Sequence, residues 1–121
     1  MKDELDKILV KEFPNLYRDR HGKMQDTCMC WGFECGDGWF EIIKELSAKL
    51  EPLDVVALQV KEKFGGLRFY IGAAPEEAFK YIDEAESLSY KTCENCGAPD
   101  AKARGGGWVR TLCEACADKR K

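Results

Sequence analysis

A single histidine, His21, four prolines, and no apolar run near the ~18–20 residues that a bilayer span demands limit what this 121-residue chain can be. One histidine leaves Ser/His/Asp and Cys/His relays without local motif support. Residues 93–121 contain none, which argues against the treble-clef nucleases that place histidines around a finger. The missing apolar run excludes a membrane-spanning helix and predicts no membrane partner. Met1 to Asp6 are acidic and lack an apolar h-region, so no secretory leader is expected and the expected compartment is the reducing cytoplasm. There is no internal repeat and no low-complexity linker. A net charge of −3 excludes electrostatic nucleic-acid binding by the molecule as a whole.

Hydrophobic content of 45% with 34% charged residues suits one ordinary globular domain with a small appendage, and 11% aromatics oppose disorder. Leu5, Ile8, Leu9 and Phe13 recur at helical spacing, predicting an N-terminal helix that stops near Pro14. Residues 15–36 show no clear period. Asp37-Gly38 opens a second expected helix with Trp39, Phe40, Ile43, Leu46 and Leu50 on its apolar stripe, ending before Pro52. Asp37 is placed to cap it. The period then changes: Val56, Leu58 and Val60 alternate with polar neighbours, as do Leu67, Phe69 and Ile71. Phe64-Gly65-Gly66 between them predicts a β-hairpin with one buried face. A third helix follows Pro75, with Ala78, Tyr81, Ile82, Ala85 and Leu88 on its inner stripe.

Composition shifts near residue 92. Residues 1–92 hold 13 Lys/Arg against 18 Asp/Glu, a net −5, and residues 93–121 hold 6 against 4, a net +2. The expected division is an α+β domain over 1–91 and a finger over 92–121. The expected fold class is α+β, with three helices packed around a β-hairpin and a C-terminal four-cysteine finger.

The seven cysteines carry the strongest chemistry, and their odd number opposes a fully paired disulfide framework. Cys93-x2-Cys96 and Cys113-x2-Cys116, separated by 16 residues, have the spacing of a Zn²⁺ site. Gly97 permits the turn after the first pair, and the run after Cys116 favours a helix. Knuckle, glycine-tipped hairpin, knuckle and helix is the treble-clef order. Four thiolates close a tetrahedral sphere, so the expected metal is structural and not catalytic. Bound thiolates and Zn²⁺ would bring the tail close to neutral.

Cys28, Cys30 and Cys35, with His21, admit a second metal site or reduced, partly buried thiols. Asp37 between Gly36 and Gly38 reads as a general base or metal ligand, or as a cap beside a core Trp39. Trp108 between Arg104 and Arg110 stacks on a base or ring while the guanidiniums meet phosphate, or it packs beside the knuckle. Lys61, Lys63, Arg68 and Tyr70 form a contact surface or a solvated outer face of the hairpin.

Residues 92–121, with Cys93-x2-Cys96-Gly97, an arginine-bearing segment and Cys113-x2-Cys116, resemble the C-terminal zinc finger of the DksA/TraR-type regulators of RNA polymerase. The long coiled coil of those regulators is absent, so their activity does not carry over. Over most of its length, through Cys30-Trp31-Gly32-Phe33-Glu34-Cys35-Gly36-Asp37-Gly38-Trp39 and Glu62 to Tyr70, the chain looks like small phage- and prophage-encoded proteins. That resemblance implies a viral accessory role and brings no activity with it.

The expected function is therefore a non-enzymatic, zinc-binding accessory or regulatory protein. It would bind a host protein, or nucleic acid, through the finger and the adjoining basic face, with Arg104, Trp108, Arg110, Lys61, Arg68 and Tyr70 as contacts. The alternative is capture of a small anionic signalling nucleotide, in a pocket lined by Trp39, Arg68 or Tyr70, to blunt a host defence signal.

Overall fold

A computed structural model describes residues 1–22, 28–105 and 109–120 of the chain, without the side chains of Cys28, Lys119 and Arg120. Helix α1, Asp3–Glu12, begins with Asp3, Glu4 and Asp6 in its first turn and carries Lys11 in its last, as the helix dipole favours. It ends at Phe13 because Pro14 cannot extend it, and it buries Leu9. The Glu51 carboxylate then accepts the backbone N–H groups of Asn15 and Leu16, at 3.0 and 2.9 Å, and fixes the exit of the chain.

A 3-10 turn, Cys28–Trp31, precedes the two-residue strand β1, Phe33–Glu34. A second such turn, Asp37–Trp39, leads into α2, Phe40–Leu50. Asp37 does not cap this helix. Its Oδ1 instead accepts the Lys2 N–H at 2.8 Å, at the entrance to α1.

Strands β2, Ala57–Lys63, and β3, Gly66–Ile71, form the expected antiparallel hairpin, and β1 adds to β2 in parallel. Phe33, Val60 and Phe69 line one face, where Tyr17 meets Phe33 edge-on with ring centroids 5.0 Å apart. The expected alternation through Val56, Leu58 and Val60 breaks. The register slips between Ala57 and Gln59, so Ala57 is fully buried and Val56 and Leu58 only half-buried. A bulge of this kind turns one residue out of the period and bends the strand.

Helix α3, Glu76–Ser89, packs against α2 and β3, while α1 meets α2. Ala78 and Ala85 are buried as expected, but Leu88 is 48% exposed. Ser89 occupies the inner position instead, because its hydroxyl accepts the Leu67 N–H at 2.9 Å and donates to the Glu86 carbonyl at 2.6 Å. Leu67 lies on the strand without a further β partner, so Ser89 satisfies a backbone donor that would otherwise be buried alone.

The C-terminal part holds a second hairpin, β4 (Lys102–Arg104) with β5 (Arg110–Leu112), and then α4, Glu114–Arg120. The architecture of the described residues is thus four α-helices with one three-stranded and one two-stranded sheet. No helix among them is long and apolar enough to cross a membrane.

Candidate metal centre

Cys93 and Cys96 lie on the turn before β4, Cys113 directly after β5, and Cys116 in the first turn of α4. Their four sulfurs lie within 4.8 Å of one another, and Cys96 Sγ is 3.6 Å from Cys113 Sγ. A tetrahedral ion with ~2.3 Å metal–sulfur bonds sets its sulfurs ~3.8 Å apart, whereas a disulfide needs ~2.05 Å. The cluster therefore fits a four-thiolate metal ion.

Local backbone makes this convergence. The Cys93 N–H donates to Ala98 O and the Gly97 N–H to Cys93 O, both at 2.8 Å, with Gly97 at φ +88°. Asn95 Nδ2 donates to Cys116 Sγ at 3.3 Å. Burial would raise the Cys93 thiol, but backbone N–H groups of Cys113, Cys96 and Asn95 outweigh it and bring it down to about 6. At Cys96 the Ala98 N–H lowers the thiol pKa, but the neighbouring thiols of Cys113, Cys116 and Cys93 push it up to about 12. Thiols this close oppose one another's ionisation, and a bound cation removes that conflict.

The knuckle is bolted to the rest of the chain. Glu94 is 4% exposed; its Oε2 accepts the Gly36 N–H at 2.8 Å, and its carbonyl accepts the Gly38 N–H at 2.7 Å. Trp39, fully buried, donates Nε1–H to Thr92 O at 2.9 Å. A Cβ on Gly36 would sit 2.3 Å from Glu94 O, and one on Gly38 2.1 Å from Cys93 O. Only glycines admit this approach, which accounts for the Gly36-Asp37-Gly38-Trp39 motif as a docking seat. Glu94 was not recognisable from the sequence, since its partners are 16 and 58 positions away. A carboxylate between two metal-ligand positions was the one available signal.

The C-terminal part also touches the larger hairpin. Thr111 Oγ1 donates to Gly65 O, and Thr111 O accepts the Glu94 N–H at 3.0 Å. The hairpin turn is Phe64-Gly65, with φ +55° and +82°, and the Gly65 N–H is held by Glu62 Oε2 at 2.8 Å. Phe64 is 71% exposed, with Lys63 Nζ 5.5 Å from its ring centroid.

The expected contact residues fare unequally. Lys61 pairs with Arg68 across the strands, and the half-exposed Tyr70 follows Arg68 by two positions on the same outer face. Arg68 is held by Glu86 at 2.8 Å. Arg104 and Arg110 stand opposite each other on β4 and β5 but are committed inward: Arg104 Nε donates to Leu112 O at 2.8 Å, and Arg110 pairs with Glu94 Oε1 at 3.5 Å. Arg110 thus lies beside the knuckle, with a buried carboxylate as its ion-pair partner. Trp108 lies outside the described residues. Trp39, being fully buried, cannot line a nucleotide pocket. Among the described residues the only metal-type cluster is that of the four cysteines. Cys35 is buried, Cys30 half-buried and His21 exposed; the Cys28 side chain is outside the description.

Family models, curated proteins and solved structures offer no match to this chain.

Proposed function

We propose that the chain is a non-enzymatic accessory or regulatory protein that binds Zn²⁺ in a treble-clef finger and engages a partner protein through the hairpin tip beside that finger. Four thiols complete the coordination of Zn²⁺, leaving no open position for substrate, and four soft donors favour zinc over harder cations. The metal's role is then to shape a segment too small to fold on its own core.

Phe64 carries the binding half of the reading. A bulky side chain at positive φ is disfavoured, and the type I′ turn prefers Asn-Gly. Here a ring 71% exposed occupies that position, while Glu62 and Thr111 pin the following glycine. Conformational cost spent to present an aromatic to solvent marks an anchor for a partner's pocket. Lys63 beside it, and Lys61 on the adjoining face, favour an acidic rim around that pocket. The phage-type setting, with a host protein as partner, rests on the sequence resemblance alone.

The test pairs metal analysis with Phe64→Asn, which suits the turn and removes the ring. Native mass spectrometry should find one zinc per chain in wild type and variant. A partner recovered from a host lysate by the wild type should be lost with the variant. Retention of the same partner by Phe64→Asn would refute the anchor, and absence of zinc would refute the finger. Recovery of nucleic acid instead of protein would refute the protein partner, and its loss with Phe64→Asn would make Phe64 a base-stacking residue.

A further inference from the structure

Helices α2 and α3 leave a groove of about 170 Å³ between them, floored by the buried Ile42, Leu46 and Ala85, with Leu88 at its lip. Small-molecule sites occupy ~300–1,000 Å³, so this one is the size for a single apolar side chain. Glu45 and Glu84 are exposed on its rim, and among the described residues neither forms an ion pair. The one basic residue at the groove, Lys49, holds its Nζ 5.3 Å from the Tyr81 ring centroid. Helix α3 carries five acidic residues, Glu76, Glu77, Asp83, Glu84 and Glu86, against one lysine, Lys80.

We propose that this groove docks a basic amphipathic segment of a partner protein. An apolar side chain enters over Leu46 and Ala85 against Leu88, and Lys or Arg one helical turn away meets Glu45 and Glu84. Charge selects this occupant. A second copy of the chain would bring one acidic α3 against another, which opposes association, whereas a basic segment meets two unpaired carboxylates. The surface is separate from the hairpin tip and opposite in charge, so it stands whether or not Phe64 anchors a partner.

The probe is a fluorescein-labelled peptide of ~14 residues, leucine at i, i+3, i+4 and i+7 and lysine elsewhere, titrated onto the full zinc-loaded chain. Saturable one-to-one binding is expected, with amide NMR shifts confined to residues around Leu46, Ala85 and Leu88. Affinity should fall about ten-fold or more in Glu45→Lys/Glu84→Lys and in Leu88→Ser. It should also fall between about 50 and about 300 mM NaCl, and a scrambled peptide of equal composition should bind about ten-fold more weakly. The substituted residues are exposed, so unchanged circular dichroism and zinc content verify each variant. Equal affinity across the variants, no binding, equal binding of a peptide with glutamate for lysine, or shifts at the hairpin tip would each overturn the proposal. So would a dimer, seen by light scattering, that Leu88→Ser dissociates.

Discussion

Gly38→Ala is the sharpest perturbation of the seat that joins the metal knuckle to the core. The added Cβ would lie 2.1 Å from Cys93 O, 2.6 Å from Gly97 N and 2.7 Å from the Glu94 carbonyl carbon. All three are backbone atoms, so no flexible side chain can swing aside. Restoring ordinary contact at 3.4 Å requires the knuckle or the turn to retreat by about 1.3 Å. Such a retreat weakens the Gly38-to-Glu94 and Gly36-to-Glu94 hydrogen bonds, 2.7 and 2.8 Å long, and the Trp39-to-Thr92 bond. Overpacking costs ~1–3 kcal/mol, and each weakened bond adds about 1 kcal/mol, so a loss of ~3 kcal/mol or more is expected. That is a large part of the ~5–15 kcal/mol typical of a domain. Gly72→Ala is the control, because its Cβ meets only Val56 Cγ1 at 3.2 Å and should cost under about 1 kcal/mol. Urea denaturation of both variants with zinc bound reads the difference, and chelator competition reads zinc affinity. The knuckle carries two of the four proposed ligands, so Gly38→Ala should lower that affinity as well. Equal midpoints for the two variants, or normal stability and zinc binding in Gly38→Ala, would refute a rigid seat.

Removing zinc with a chelator should unfold the finger and alter near-ultraviolet circular dichroism through Trp39, whose partner Thr92 adjoins Cys93; an unchanged spectrum would contradict this coupling. Arg110→Ala leaves the buried Glu94 Oε1 without a counter-charge and should destabilise by about 2 kcal/mol, with Glu94→Gln recovering much of it in the same background; an unaffected melting temperature would mean that water serves the carboxylate. Burial, reinforced by Glu94, pushes the Cys35 thiol up to about 12 from an ordinary 9.0, so it should resist iodoacetamide at pH 8 in the folded protein. The raised value stabilises the fold below pH 9 and is lost as pH climbs from about 9 towards 12, so the wild type should lose more stability over that range than Cys35→Ala.

The elements legible in the sequence were those whose cause is local. Helical spacing marked α1, α2 and α3, and Phe64-Gly65-Gly66 marked the turn of the β2–β3 hairpin, which the chain makes at Phe64 and Gly65. The two Cys-x2-Cys pairs marked sulfurs that the structure brings together, because each knuckle is set by a few consecutive backbone angles. Periodicity failed where a distant neighbour overrode it. Leu88 has the spacing of a core residue, yet Ser89 is drawn inward by the unpaired Leu67 N–H. The bulge at Leu58 shifts a face that strict alternation would have kept. Asp37 looked like the cap of its own helix and serves the entrance of α1 instead.

Residue types alone could not reveal which charges were already spent. Arg104, Arg110 and Arg68 read as free cations, and each has an internal partner chosen by tertiary packing. Gly36 and Gly38 read as flanks of an acid, and only the approach of residues 93–94 shows that they make room for a backbone. By itself the sequence determined the helices, the hairpin and the two cysteine pairs with metal-ligand spacing, because these depend on spacing over a few residues. Tertiary structure decided the docking of the knuckle, the pairing of the arginines and the exposure of Phe64 and Leu88. These depend on residues far apart in the chain, whose meeting no local pattern records.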